Sequence, residues 1–181
     1  MIATPQLNGI LVLIMKKDWT GNKATAFLQT GTSYKTKQTN PDRGFDYYAS
    51  PPKALEDLLK VEEFKNVWEC ADGEGNLCKV LQVHGILGKH TDLIDRGCGE
   101  GGIDFLLEFS EKWNGDIITN PPYRYAQQFV ETALKIIPIG RKVAMLLKIQ
   151  FLESKSRRKL FEISPPKTIY VWQGRITCAL N

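Results

Sequence analysis

Asn120, Pro121, Pro122 and Tyr123 follow a short apolar run, residues 115–119 (GDIIT). The run reads as a buried strand, so it delivers an amide, two prolines and an aromatic ring into one rigid loop. That set of groups suits the activation of an amine whose lone pair is conjugated into a ring or a carbonyl. The amide oxygen of Asn120 and the backbone carbonyl of Pro121 can accept the two amine hydrogens. Accepting both draws the nitrogen towards tetrahedral geometry and frees its lone pair to attack an electrophilic methyl. Prolines fix φ and donate no backbone hydrogen bond, which holds the carbonyl in place. Tyr123 adds a face on which a planar group can stack. The same tetrapeptide also serves as a plain loop at a strand end, so its meaning depends on the elements around it.

Those elements alternate. A helix from Pro52 places Leu55, Leu58 and Leu59 on one face. Residues 66–71 read as a strand, Asp72-Gly73-Glu74-Gly75 as a turn, and Asn76–Val83 as a helix with Asn76 an acceptable cap. Strand, glycine turn and helix form the unit that binds nucleotide-like ligands at the carboxyl end of a parallel strand. A second strand over 90–94 ends near Asp92, and a glycine-rich turn over 97–102 leads to Ile103-Asp104-Phe105-Leu106. A helix is expected over 125–137, closed by Pro138 and Gly140. Lys142–Lys148 reads as a buried strand, 154–162 as a basic helix and 168–172 as a last strand. The pattern predicts an α/β sheet, mostly parallel, with helices on both faces. Ligands in such sheets sit beyond the carboxyl ends of the strands, and the glycine turn and the Asn-Pro-Pro-Tyr loop both fall at that edge.

The totals bound the rest. The chain has 181 residues, 43% hydrophobic and 24% charged, which fits one folded domain and not a disordered segment. A formal charge of +4 is compatible with a nucleic-acid partner without requiring one. Cys70, Cys78, Cys98 and Cys178 show no C-x-x-C spacing, and His84 and His90 have no evident ligand partners in the sequence. Neither a metal site nor a disulfide framework is expected, and a reducing cytoplasm fits best. No stretch has the length of a membrane span. Gly9–Met15 (GILVLIM) is apolar but does not look like a signal peptide, and Met15 is an alternative start that would make the first fourteen residues an upstream extension. Residues 1–46 are expected to be a loosely structured arm, with 47–181 forming the domain. Lys16, Lys17, Lys23, Lys35 and Lys37 make the arm basic, which suits either a solvated tail or a nucleic-acid contact.

From about Trp19 onward the chain resembles the class I S-adenosylmethionine-dependent methyltransferases, a Rossmann-like fold. Within them it looks most like the phage and prophage DNA N6-adenine methyltransferases, some of which belong to restriction-modification systems. The motifs stand in family order: Asp46-Tyr47-Tyr48-Ala49-Ser50-Pro51, Glu69 to Gly75, Asp92, Asp104-Phe105, and Asn120 to Tyr123. The resemblance implies that Tyr48 and Ala49 pack around the methionine end of S-adenosylmethionine. It implies that Glu69, Ala71, Gly73 and Gly75 form the first cofactor turn, where glycines allow close backbone approach. Asp92 would accept the ribose hydroxyls, Asp104 would bind the adenine amino group, and Phe105 would pack on that ring. Asn120, Pro121, Pro122 and Tyr123 would hold a target adenine flipped out of DNA. Lys155, Arg157, Arg158 and Lys159 are either phosphate contacts or a solvated helix face.

Two departures stand out. Asp72 occupies a position that is more often small or uncharged; its carboxylate would repel that of the cofactor, while the cofactor's sulfonium and ammonium would offset the repulsion, which leaves the net sign open. Chains of this type usually continue into a last antiparallel strand rich in aromatics, whereas this sequence stops at Asn181, so its C-terminal sheet edge is expected to be incomplete. The same amine chemistry would also serve an RNA adenine or a protein glutamine amide. A non-catalytic cofactor- or DNA-binding prophage remnant is the alternative of another class. The sequence leaves the oligomeric state open.

Overall fold

The computed structural model describes residues 9–15, 49–107 and 112–172, the first of these through its backbone only. Its strands are β1 (Gly9–Met15), β2 (Val67–Glu69), β3 (Leu87–His90), β4 (Ile117–Thr119), β5 (Lys142–Lys148) and β6 (Pro166–Val171). Among the described residues, five α-helices interleave with them: α1 (Pro52–Leu59), α2 (Asn76–Val83), α3 (Ala126–Ile136), α4 (Gln150–Glu153) and α5 (Arg158–Ile163). The six strands form one sheet in the order β3-β2-β4-β5-β1-β6. Every strand pair among the described residues is parallel.

Burial follows position in the sheet. Every residue of β2 and β4 is buried, as are residues 143–147 of β5. Burial of every residue, on both sides of the pleat, is what a parallel strand covered on both faces shows. The edge strand β6 instead alternates between half-buried and exposed residues.

Alternation along β5 divides the interior into two cores. Val143, Met145 and Leu147 face Phe129, Val130 and Ala133 of α3, with Phe151 and Leu160 from α4 and α5. Ala144 and Leu146 face Leu55 and Leu58 of α1 and Leu77 and Leu81 of α2. Helices therefore cover both faces, and the α/β architecture expected from the sequence is the one observed.

Several boundaries differ from expectation. The second strand runs Leu87–His90 and not 90–94, because the chain leaves the sheet once Thr91 has paired with Glu69 through its backbone amide (2.9 Å). Helix α2 is capped by Gly75 in the left-handed conformation (φ 74°), and Asn76 is its first residue instead of its cap. The basic segment divides into a 3-10 turn over Lys155–Arg157 and the helix α5.

The assignment of residues 1–46 to a loose arm needs correction over Gly9–Met15. That segment is a sheet strand, in register with all of β5 from Gly9 against Lys142 to Met15 against Lys148, and paired with β6 on its other side. Its apolar composition is that of a strand between two neighbours. The remainder of the expected arm lies outside the described residues.

Candidate functional site

In the order β3-β2-β4-β5, the chain steps from β2 to β3 on one side and later returns to place β4 on the other. This is a topological switch point, where parallel sheets open a crevice at their carboxyl edge. A cavity of about 480 Å³ lies there, lined by the loops after β2, β3 and β4. Its walls include Ala71, Asp72, Asp92, Asp104, Phe105, Asn120, Pro121 and Pro122.

The loop after β2 is built by backbone demand. Gly73 and Gly75 both have positive φ (61° and 74°), which side-chain-bearing residues rarely adopt. Below them, Glu69 is buried and its Oε1 accepts the Ala71 amide at 3.0 Å. Burial pushes its carboxyl up to about 8, with the nearby Asp72 and Asp92 charges acting in the same direction. Glu69 therefore shapes the turn from beneath and does not line the cavity.

Asp92 joins the loops. Its Oδ2 accepts the Gly73 amide at 2.8 Å, while Oδ1 accepts the Ile94 amide at 2.8 Å and the Arg96 guanidinium at 3.0 Å. Asp104 Oδ1 accepts the Leu106 amide at 2.9 Å. Phe105 is a core residue: only 2% exposed, it stacks on Phe129 at 5.0 Å and meets Trp68 edge-on at 5.4 Å. It also lines the cavity, so the residue expected to pack on a cofactor ring is one that the core holds rigidly. Ala49 is buried without lining the cavity, and Tyr48 lies outside the described residues.

At the other end of the cavity, β4 delivers Asn120. Its Nδ2 donates to Ser50 Oγ at 3.0 Å, a contact between residues 70 apart that sets the rotation of the amide. Pro121 and Pro122 continue the wall, and Tyr123 opens a 3-10 turn ending at Tyr125. Tyr123 does not line this cavity; the Lys148 ammonium, at the end of β5, stands 4.2 Å over its ring. Arg124 and Tyr125 line the cavity instead, and sequence reasoning had assigned neither a role. Ser50 and Arg96 were likewise missed, since each acts through a contact that only the fold creates.

The basic stretch separates into different roles. Arg157 donates from Nε to the Phe151 carbonyl at 2.6 Å and from Nη2 to the Gln150 carbonyl at 2.9 Å, and its guanidinium lies over the Phe151 ring at 4.4 Å. It fastens α4 to the following turn, so its assignment as a phosphate contact is corrected. Arg158 pairs with Glu162 on the helix surface at 2.7 Å. Lys155 and Lys159 are exposed.

His90 has found the partner its sequence neighbourhood lacked: its Nδ1 lies 2.7 Å from Asp72 Oδ2. The departure at Asp72 is thus matched by a hydrogen-bonding partner at the end of β3. Among the described residues no helix is long and apolar enough to cross a membrane. Comparison with protein-family models, curated proteins and solved structures found no match.

Proposed function

We propose that the protein transfers a methyl group from S-adenosylmethionine to the N6 amine of adenine in DNA, on a Rossmann-like methyltransferase domain. The observation that carries this reading is the shared cavity. The acceptors Asp92 and Asp104, the turn at Asp72, and the loop residues Asn120, Pro121 and Pro122 line one space at the switch point. Its volume, about 480 Å³, falls within the range of small-molecule sites.

The lining fits the cofactor's chemistry. Carboxylates suit a sulfonium, an ammonium and a ribose diol, and the apolar wall of Leu93, Ile94, Ile103 and Leu107 suits a purine. Asp92 would take the ribose hydroxyls and Asp104 the adenine amino group, with the glycine turn admitting the amino-acid end. When bound, the cofactor supplies a methyl already activated on sulfur, so no strong base is needed. Asn120 and the Pro121 carbonyl would then accept the two hydrogens of the target amine and orient its lone pair. The Ser50 contact keeps the Asn120 amide from rotating out of that role. The nitrogen would take the methyl as the carbon–sulfur bond breaks, leaving the cofactor as a neutral thioether, and would return to planarity by releasing one proton to solvent.

A second reading, the same chemistry on an RNA adenine or a glutamine amide, draws on the basic stretch. With Arg157 committed to the backbone and Arg158 to Glu162, its exposed unpaired charge reduces to two lysines, a small footprint for duplex DNA. The test is transfer of labelled methyl from S-adenosylmethionine to adenine-containing DNA, to RNA and to peptide, with Asn120→Ala alongside. Label in N6-methyladenine of DNA, reduced about 100-fold or more in the variant, is the expected outcome. Label in RNA or peptide alone would overturn the DNA assignment. Cofactor binding without transfer to any substrate would leave a binding module.

A further inference from the structure

Beside the cavity, three chemically different side chains converge from three elements. Asp72 comes from the turn after β2, Cys78 from the first turn of α2 and His90 from the end of β3. One ligand-capable atom from each lies within 4.8 Å of the others. The Asp72 side chain is fully buried, and besides His90 the thiols of Cys78 and Cys98, weak hydrogen-bond donors, stand against its carboxylate. A buried carboxylate held by such weak donors is poorly compensated, and a divalent cation offsets its charge more fully.

A fourth ligand stands close. A Cβ added at Gly75 would collide with Cys98 Sγ and come within 3.6 Å of Asp72 Oδ1, so thiol and carboxylate approach each other across the space left by the missing side chain. A Cβ at Gly99 would lie 2.9 Å from both Asp72 Oδ2 and His90 Nδ1, so the Cys98–Gly99 backbone lies directly against the pair. Glycines at 75 and 99 keep this space open.

We propose that Asp72, Cys78, His90 and Cys98 bind a zinc ion that ties the loops after β2 and β3 to the start of α2. Two sulfurs, one imidazole nitrogen and one carboxylate oxygen form a donor set that a tetrahedral, borderline-soft cation favours over calcium or magnesium. Zinc bond lengths place tetrahedral ligand atoms roughly 3.3–3.8 Å apart. The Asp72–His90 contact at 2.7 Å therefore opens slightly on binding, while the wider separations among Asp72, Cys78 and His90 close and Cys98, outside that 4.8 Å cluster, moves in. Without a cation, burial and the Asp72 carboxylate hold both thiols in the protonated state. Binding expels those protons to solvent as each sulfur becomes a thiolate. A hydrogen-bonded Asp-His pair flanked by thiols is the simpler alternative, but it leaves the buried Asp72 carboxylate with two weak thiol donors beside His90.

The site is read without cofactor or substrate, so its failure is separate from failure of the methyl-transfer reading. The full chain, freed of metal with a chelator, is titrated with zinc against a chromogenic competitor and, separately, with cobalt. One equivalent of zinc is expected, together with a thiolate-to-cobalt charge-transfer band. Cys78→Ser and His90→Asn each weaken zinc binding about 100-fold or more, Cys98→Ser lowers the cobalt band, and Cys178→Ser changes neither. Circular dichroism checks that each variant is folded. If one is not, the wild-type and Cys178→Ser cobalt spectra still decide. Sub-stoichiometric zinc, a cobalt spectrum without the thiolate band, or binding indifferent to Cys78 would overturn the proposal.

Discussion

Asp92 Oδ2 accepts the Gly73 amide at 2.8 Å, so a carboxylate beyond one strand holds the glycine turn that follows its neighbour. Two of the three loops that wall the cavity are thereby fixed to each other before any ligand arrives. A ribose bound by Asp92 would share an acceptor that already organises the turn beneath it.

Asp92→Asn is therefore expected to act twice. The substituted amide must point its NH₂ towards either the Gly73 or the Ile94 amide, where only an acceptor fits. Losing one charge-assisted bond is worth about 1.5–3 kcal/mol, so affinity for S-adenosylmethionine should fall roughly 10- to 100-fold by calorimetry. Unchanged affinity would show that Asp92 serves neither the turn nor the cofactor.

Glu69 links pH to stability. Its folded carboxyl titrates at about 8 against an ordinary value of 4.5, so the native chain retains a proton that the unfolded chain releases between those values. The unfolded state then binds fewer protons, and stability falls as pH rises through that window, by up to about 1.4 kcal/mol per unit. Glu69→Gln keeps an oxygen for the Ala71 amide and removes the ionisation. Urea midpoints from pH 5 to about 8 should decline in the wild type and flatten in the variant. Parallel profiles would assign the slope to other groups.

What was legible from sequence was what local chemistry determines. The run KVAMLLK reads as a buried strand and is one, Lys142–Lys148. The Asn-Pro-Pro-Tyr loop sits at the end of a buried strand because apolar residues and prolines constrain the chain at short range. What depends on distant partners was not legible. Gly9–Met15 is apolar, but only pairing with Lys142–Lys148 makes it part of the sheet. LGKH has little strand character of its own and is recruited by β2. The roles of Ser50, His90 and Arg157 rest on side-chain contacts across loops, which no spacing rule encodes.

Asp116 offers a test of the scaffold. Its Oδ2 accepts the Lys65 amide at 2.7 Å and its Oδ1 the Lys142 amide at 2.8 Å, joining the approach to β2 with the start of β5. The residue is buried, so water cannot replace either bond. Asp116→Asn should destabilise the fold by about 1–3 kcal/mol, read as a lower urea midpoint at constant slope. A midpoint within experimental error of the wild type would mean that the two amides find other partners.

The basic segment yields opposite outcomes for neighbouring cations. If DNA is the substrate, Lys155 and Lys159 are exposed and suited to phosphates, and the double alanine variant should weaken DNA binding and reduce the salt slope by about 1.8. Arg157 donates to the Gln150 and Phe151 carbonyls of α4. Arg157→Ala should leave the salt slope unchanged and lower stability by about 1–2 kcal/mol, because those carbonyls lose a charged donor. Fluorescence anisotropy over a salt series, paired with urea denaturation, separates the two effects. A drop in the salt slope for Arg157→Ala at unaltered stability would return that residue to the DNA surface.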